Sequence, residues 1–395
     1  MGGWEELPCD LINAICQRLE TYVDHIRLGA VCASWYSAVP KRPTHLFKQI
    51  PWLMLPFDDK TQTHCLSFYH SFYSILDDKV YHLDLSETRG KEKWIRGSSH
   101  GWLVIAESPA LYLFNPLTKV QIALPPIYTF PDIRWYSSYN TGGEYAVINC
   151  QRGETFYWSQ ARLQETYIHK LVLSSSPLDD YLALAIYGEF RQLAFCRRND
   201  KKWTAAKMGF CCLQDVIFYE NKIYVVDDHA MVLVSGMSSL PNFTLIPVQH
   251  NRTMWMISLF YLVGSSKGLM LVARHYETDN DELEVPRPDV CSYQTTGFRV
   301  YLLESNQWSQ IANLGGELIF IGYNASVLIS SIDSPRPKGN CIYYTDTQAE
   351  LWEDDYGGFD NGIFDLEEER IKGFEELHLH SQLVCPPPIW VMPDP

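Results

Sequence analysis

The 395-residue chain has no apolar run of the roughly 18 residues that a membrane-spanning helix needs. Residues Met1 to Asp10 lack the basic stretch and apolar core of a secretory leader, so none is expected. Bases are scarce: 32 Lys and Arg stand against 47 Asp and Glu, a net charge of −15 that argues against general binding to nucleic-acid phosphates. The eleven cysteines are odd in number and include no C-x-x-C pair, which argues against a disulfide framework and against a structural zinc site. Reduced thiols in the cytoplasm or nucleus are the expectation, and the sequons at Asn242, Asn251 and Asn324 then arise by chance. No H-E-x-x-H, P-loop or calcium-loop spacing occurs, so no catalytic residue, metal or cofactor is assigned.

What is present begins with helical spacing. Leu11, Ile12, Ile15, Cys16 and Leu19 recur with helical periodicity, and Asp10 is the expected N-cap. Asp24 is expected to cap a second short helix through Ile26 and Leu28. A third should run from about Cys32 to Val39 with Trp35 on its face, before Pro40 and Pro43 stop helical structure. Beyond Pro56 the texture changes to short β-rich runs separated by Gly, Pro, Asn, Asp and Ser. Among them are Trp102–Ala106, Tyr181–Tyr187, Lys222–Val226, Leu269–Ala273 and Cys341–Tyr344. No long helix interrupts them, so antiparallel sheets are expected, as a sandwich array or a propeller.

Internal repeats favour the propeller. Gly97-Ser-Ser-His-Gly-Trp-Leu-Val-Ile-Ala106 matches Gly264-Ser-Ser-Lys-Gly-Leu-Met-Leu-Val-Ala273 at five of ten positions. The offset of 167 equals four units of ~42 residues, the size of a propeller blade. Phe195 to Trp203-Thr204 and Tyr301 to Trp308-Ser309 repeat a strand, a polar turn and a Trp at an offset of 105. Closure into a ring buries sheet faces and leaves only short protected edges. Residues 60 to 390 leave room for six or seven blades, the last closed by strands from both ends.

The N-terminal pattern is the most specific. Leu7-Pro8, a helix ending in Arg18-Leu19, Asp24 before a short helix, then Val31-Cys32-Ala-Ser-Trp35 together resemble an F-box over about 40 residues. Tyr36 stands where that family usually has Arg, and Gly29 lies in the second helix at a cost of about 1 kcal/mol relative to Ala. Three short helices cannot bury so many apolar groups alone. The resemblance implies that Leu7, Pro8, Leu11, Ile12, Ile15, Leu19, Val31, Cys32 and Trp35 bind a Skp-type adaptor, and through it a cullin.

The remaining residues resemble plant F-box proteins with a KIB-type β-propeller. The match rests on Lys170-Leu-Val-Leu-Ser-Ser-Ser-Pro177, Leu193-Ala-Phe-Cys196 leading to Trp203-Thr204, Gly339 to Asp346, and the tail Pro386-Pro-Pro-Ile-Trp390-Val-Met-Pro393. The chain thus reads as mainly β with a small α N-terminal unit: a three-helix F-box at 4–45, a linker at 46–64 and the propeller at 65–390. The resemblance implies the substrate-recognition subunit of a ubiquitin ligase, with an unidentified target protein on the propeller and no catalysis of its own. A scaffold acting outside a ligase and a propeller enzyme are the alternatives. Asp227-Asp228-His229 is read as a solvated hairpin turn, His378-Leu379-His380 as an exposed strand, and Cys211-Cys212 as core filler. The stretch Asp346–Glu376, with twelve acids and two bases (net −10), is read as a solvated acidic loop and edge.

Overall fold

Three short helices open the chain, and β-strands make up most of the rest. The computed structural model describes residues 3–19, 22–29, 31–40, 50–55, 69–76, 78–85, 93–107, 109–135, 145–148, 153–206, 208, 212–246, 258–278, 293–304, 307–330, 337–347, 360–374 and 388–393. A 3-10 turn at Trp4–Glu6 leads into α1 (Cys9–Cys16), α2 (Tyr22–Gly29) and α3 (Ala33–Ala38). α1 starts directly after Pro8, whose φ of −56° and missing N–H cost nothing at a helix entrance. Asp10 is therefore not the cap. It sits inside the first turn, where its charge still complements the positive helix end. Asp24 likewise lies within the first turn of α2 and pairs with Arg27 at 3.2 Å. α3 is flanked by Cys32 and Val39 as its caps, as its sequence predicts.

His25 ties the three helices together. Its Nδ1 lies 3.0 Å from Cys16 Sγ and its Nε2 lies 2.7 Å from the Pro40 carbonyl. A carbonyl only accepts, so Nε2 donates there and Nδ1 accepts from the thiol. Trp35 adds a further tie, donating from Nε1 to Trp4 O at 2.9 Å.

Seven sheets follow among the described residues. The first holds β1 (Trp52–Met54), β2 (Tyr69–Ser74) and β3 (Lys79–Asp84), with the chain's last strand, β28 (Ile389–Val391), paired antiparallel to β1. The ring is thus closed by strands from both ends. Residues 46–64 were expected as a linker, but their described part carries β1, the strand that accepts this closure. The second sheet is β4 (Trp94–Ser99), β5 (Trp102–Glu107), β6 (Ala110–Phe114) and β7 (Gln121–Leu124). The third has three strands, β8 (Ile133–Trp135), β9 (Tyr145–Ile148) and β10 (Thr155–Trp158), followed by α4 (Gln160–Thr166).

Three regular four-stranded sheets come next: β11 (Ile168–Leu173), β12 (Leu182–Tyr187), β13 (Gln192–Arg197) and β14 (Thr204–Ala205); β15 (Leu213–Tyr219), β16 (Lys222–Asp227), β17 (Val232–Gly236) and β18 (Thr244–Leu245); β19 (Ser258–Ser265), β20 (Gly268–Thr278), β21 (Tyr293–Glu304) and β22 (Gln307–Ile311). The repeats land where a propeller requires. Gly97–Ala106 and Gly264–Ala273 span the first hairpins of sheets two and six, four sheets apart. Trp203 and Trp308 stand at the outer strands of sheets four and six.

The seventh sheet departs from the antiparallel expectation. It holds β23 (Glu317–Ile321), β24 (Val327–Ser330), β25 (Cys341–Tyr344), β26 (Gly362–Asp365) and β27 (Arg370–Lys372), in the order β24-β23-β25-β26-β27, and β23 runs parallel to β25. The cause is topological. β24 folds back on the inner side of β23, beside β19. The next strand must cross to the free outer edge, and it arrives there running the same way as β23.

Burial follows position in the ring. All six residues of β12 are buried between neighbouring sheets, whereas all three of β27, on the outer rim, are exposed. β4 and β11 lie directly side by side: Arg96 donates from Nε and Nη2 to Ile168 O at 3.1 and 2.9 Å, and Leu173 N donates to Ser99 Oγ at 3.1 Å. The three-stranded third sheet is therefore wedged outside the axis, and α4 packs on β4, β5 and β11 at that place.

Candidate functional site

α1 carries two apolar stripes with opposite fates. Ile12 and Cys16, one turn apart, are buried at 0% and 1% exposure. Leu11 and Ile15, offset by one residue and so rotated by about 100°, stand out at 53% and 37%. Val31 (56%), Tyr36 (50%) and Trp4 (75%) are also exposed on the same small unit. Such density of bare apolar side chains on ~40 residues makes this face a candidate interaction surface.

The nine residues singled out in the sequence thus divide. Leu11, Ile15, Val31 and Pro8 are exposed, while Leu7, Leu19 and Cys32 are half-buried. Ile12 and Trp35 are inside the unit and hold its shape. The sequence could not separate the two groups, because helical periodicity alone does not say which apolar stripe the neighbouring helices cover. Trp4 and Tyr36 are not among those nine, although both are large and exposed.

A second candidate lies on the propeller axis, at the end where the inner strands begin. The connection between β23 and β24 crosses the axis: Ala325 N donates to Ser98 O of β4 at 2.9 Å, and Ser326 Oγ donates to Asp215 Oδ2 of β15 at 3.2 Å. Beside it, Lys170 of β11 approaches Asp215, with Nζ 2.5 Å from Oδ1 and both side chains buried. Asp215 also accepts from Val216 N and from Leu262 N of β19, at 2.7 and 2.8 Å. One carboxylate therefore ties three inner strands to the axial crossing. Lys170 and Asp215 each interrupt an apolar strand, a signal that was present in the sequence. Their meeting across 45 residues was not.

The acidic stretch needs a partial correction. Asp346, Asp360 and Asp365 are buried rather than solvated. Tyr293 donates to both Asp346 oxygens at 2.5 Å. Arg274, fully buried, donates from Nη2 to Asp360 Oδ2 at 2.8 Å and from Nη1 to Thr345 O at 2.9 Å. Burial alone would lower the affinity of that guanidinium for its proton, but Tyr261, Asp360 and Asp346 more than reverse this. Asp365 pairs with Lys338 at 2.7 Å, and that bond holds its carboxyl below the usual range despite the burial that opposes it. Glu367, Glu368 and Glu369 are exposed as expected, and residues 348–359 and 375–376 lie outside the described residues.

The remaining motifs form turns and hairpins. Asp227-Asp228-His229 forms the expected turn, but Asp227 is buried and caps it, accepting from His229 N and Met231 N at 2.9 and 2.8 Å. Two G-x-S-x-G spacings, Gly97 to Gly101 and Gly264 to Gly268, form tight strand-to-strand hairpins, whereas the hydrolase elbow runs from strand to helix. Asn324, in one of the sequons, is buried and donates to Ala325 O at 2.6 Å. Cys211, Asn251, His378 and His380 lie outside the described residues. Among the described residues no helix is long and apolar enough to cross a membrane, and Cys9, Cys16, Cys32, Cys196 and Cys341 are free thiols.

Comparison with known proteins agrees with this architecture. A family model described as the KIB1-4 beta-propeller matches residues 72–365. F-box protein SKIP23 of Arabidopsis thaliana is 26% identical over an alignment covering 99% of this chain and 96% of that protein, which takes in the N-terminal helices. F-box protein KIB2 of the same plant is 23% identical, covering 96% of this chain and 78% of its own length. A putative F-box protein of that plant is 24% identical, with 87% and 86% covered.

Proposed function

The chain belongs to the KIB1-4 β-propeller family, and from that premise we propose that it is the substrate-recognition subunit of a Skp–cullin–F-box ubiquitin ligase. The observation that carries the reading is the outward stripe of Leu11 and Ile15, beside Val31, on a helical unit whose interior is already filled. A unit this small gains nothing from leaving those groups in water unless a partner covers them. The Skp-type adaptor is the partner that the F-box relatives suggest. Pro8 and half-buried Leu7 extend the same docking surface at the entrance of α1.

The mechanism is proximity. The helical unit clamps the adaptor and so the cullin arm, while the propeller holds a target protein near the ubiquitin-loaded enzyme. Rate is gained through effective concentration, and no side chain of this chain makes or breaks a bond.

The test uses the two stripes against each other. Leu11→Glu with Ile15→Glu should weaken adaptor capture by more than about tenfold while leaving the melting profile intact. Ile12→Ala should instead destabilise the helical unit by about 2–5 kcal/mol, with any loss of capture following its unfolding. Adaptor capture that survives the double Glu change would place the interface elsewhere.

A further inference from the structure

The axial end of the propeller holds a cup of about 480 Å³, counting its open mouth. Its wall carries His169, Lys170, Arg191, Gln214, Tyr261 and Thr347. In a chain of net charge −15, the described wall carries two permanent cations, Lys170 and Arg191, with Asp215 paired to Lys170 behind it. A concave low-dielectric wall focuses such a field on whatever enters.

Lys170 is the unusual member. It is 4% exposed, and its Nζ finds no hydrogen-bond acceptor in proper geometry among the described residues. The 2.5 Å approach to Asp215 is a charge contact rather than a directed hydrogen bond, and the Asp215 oxygens already accept from Val216 N, Leu262 N and Ser326 Oγ. A buried ammonium with donors left over beyond its one ion pair is costly. An incoming oxyanion supplies an acceptor for them and brings negative charge beside Arg191. Gln214 is pre-set for the same ligand: its Oε1 is taken by Phe260 N at 2.6 Å, which directs its amide group as a donor. Arg191 is held at the rim with φ of 45°, its carbonyl accepting from Leu213 N at 3.0 Å, so the guanidinium is carried on a fixed turn.

We propose that this axial cup is a binding site for an oxyanion group of the phosphate or carboxylate class. The group is either a free ion or one borne on a protein side chain. The proposal does not depend on adaptor docking, since the cup lies wholly within the propeller.

The full-length chain is titrated calorimetrically with inorganic phosphate and, in parallel, with a blocked phosphoserine tetrapeptide, at about 0.1 M salt. Lys170→Gln would leave Asp215 buried without its cation and endanger the fold, so Arg191→Gln at the half-exposed rim carries the test. Saturable one-site binding in either arm, weakened about tenfold by Arg191→Gln with circular dichroism unchanged, supports the site. Tighter binding in the peptide arm assigns a protein-borne anion, and tighter binding of phosphate assigns a free one. No saturable heat in either arm overturns the proposal, as does binding that Arg191→Gln leaves untouched, which marks an adventitious ion only.

Discussion

Asp132 is buried against Tyr167, whose hydroxyl donates to Oδ1. Burial pushes the carboxyl up from 3.8 to about 6, and the Tyr167 bond only partly opposes this. The folded protein therefore holds that proton more tightly than the unfolded chain does. The stability this group contributes is fully present below about pH 4 and is lost as pH rises through about 6. Across that window the loss is about 3 kcal/mol. Asp132→Asn keeps an acceptor for Tyr167 and cannot ionise, so it should raise stability at pH 7 and flatten the wild-type decline between pH 4 and 6. Denaturant midpoints of both proteins at pH 4.5 and 7 check this, and an equal pH dependence in the two would contradict it. None of this is legible in the sequence, where Asp132 follows Pro131 as an ordinary turn residue. Its burial depends on Tyr167, 35 positions away.

At the scale of elements, the strands with strong alternating or continuous apolar patterns were readable, and the connections between them were less so. The hairpins at Gly97–Ala106 and Gly264–Ala273 could be placed four sheets apart from sequence because local strand–turn–strand chemistry repeats. The parallel pairing of β23 with β25 could not be, since it is decided by where β24 folds back. α4 was missed because it is only seven residues long, although Ser159 accepting from Arg162 N marks its start. β1 is three residues long and hides in what reads as a linker, because its partner β28 is more than 300 residues away.

That closure yields a prediction. Trp390 on β28 is 1% exposed and stacks edge-on against Phe320 and Tyr343, at ring distances of 5.1 and 6.1 Å. Trp390→Ala should therefore cost about 3–5 kcal/mol, whereas Ile371→Ala on the exposed rim strand β27 should stay within about 0.5 kcal/mol. Equilibrium unfolding of both variants decides it. A mild effect at Trp390 would mean that the ring does not rely on its terminal strand.

For the whole molecule, two proposed surfaces divide the work: an apolar stripe on the helical unit and a cup beside the buried Lys170–Asp215 pair in an acidic propeller. The first can be proposed from sequence, because the Leu7-Pro8 to Trp35 pattern resembles an F-box residue by residue. The second cannot, because charges on separate strands converge only once the ring closes. The central claim is that this chain bridges a cullin arm to a target. Its most direct test is light scattering on size-exclusion of the full chain mixed with a Skp-type adaptor and a cullin. The account predicts a single species with the mass of one copy of each. Elution of the chain apart from an intact adaptor–cullin complex, at concentrations where known F-box proteins join it, would contradict the account.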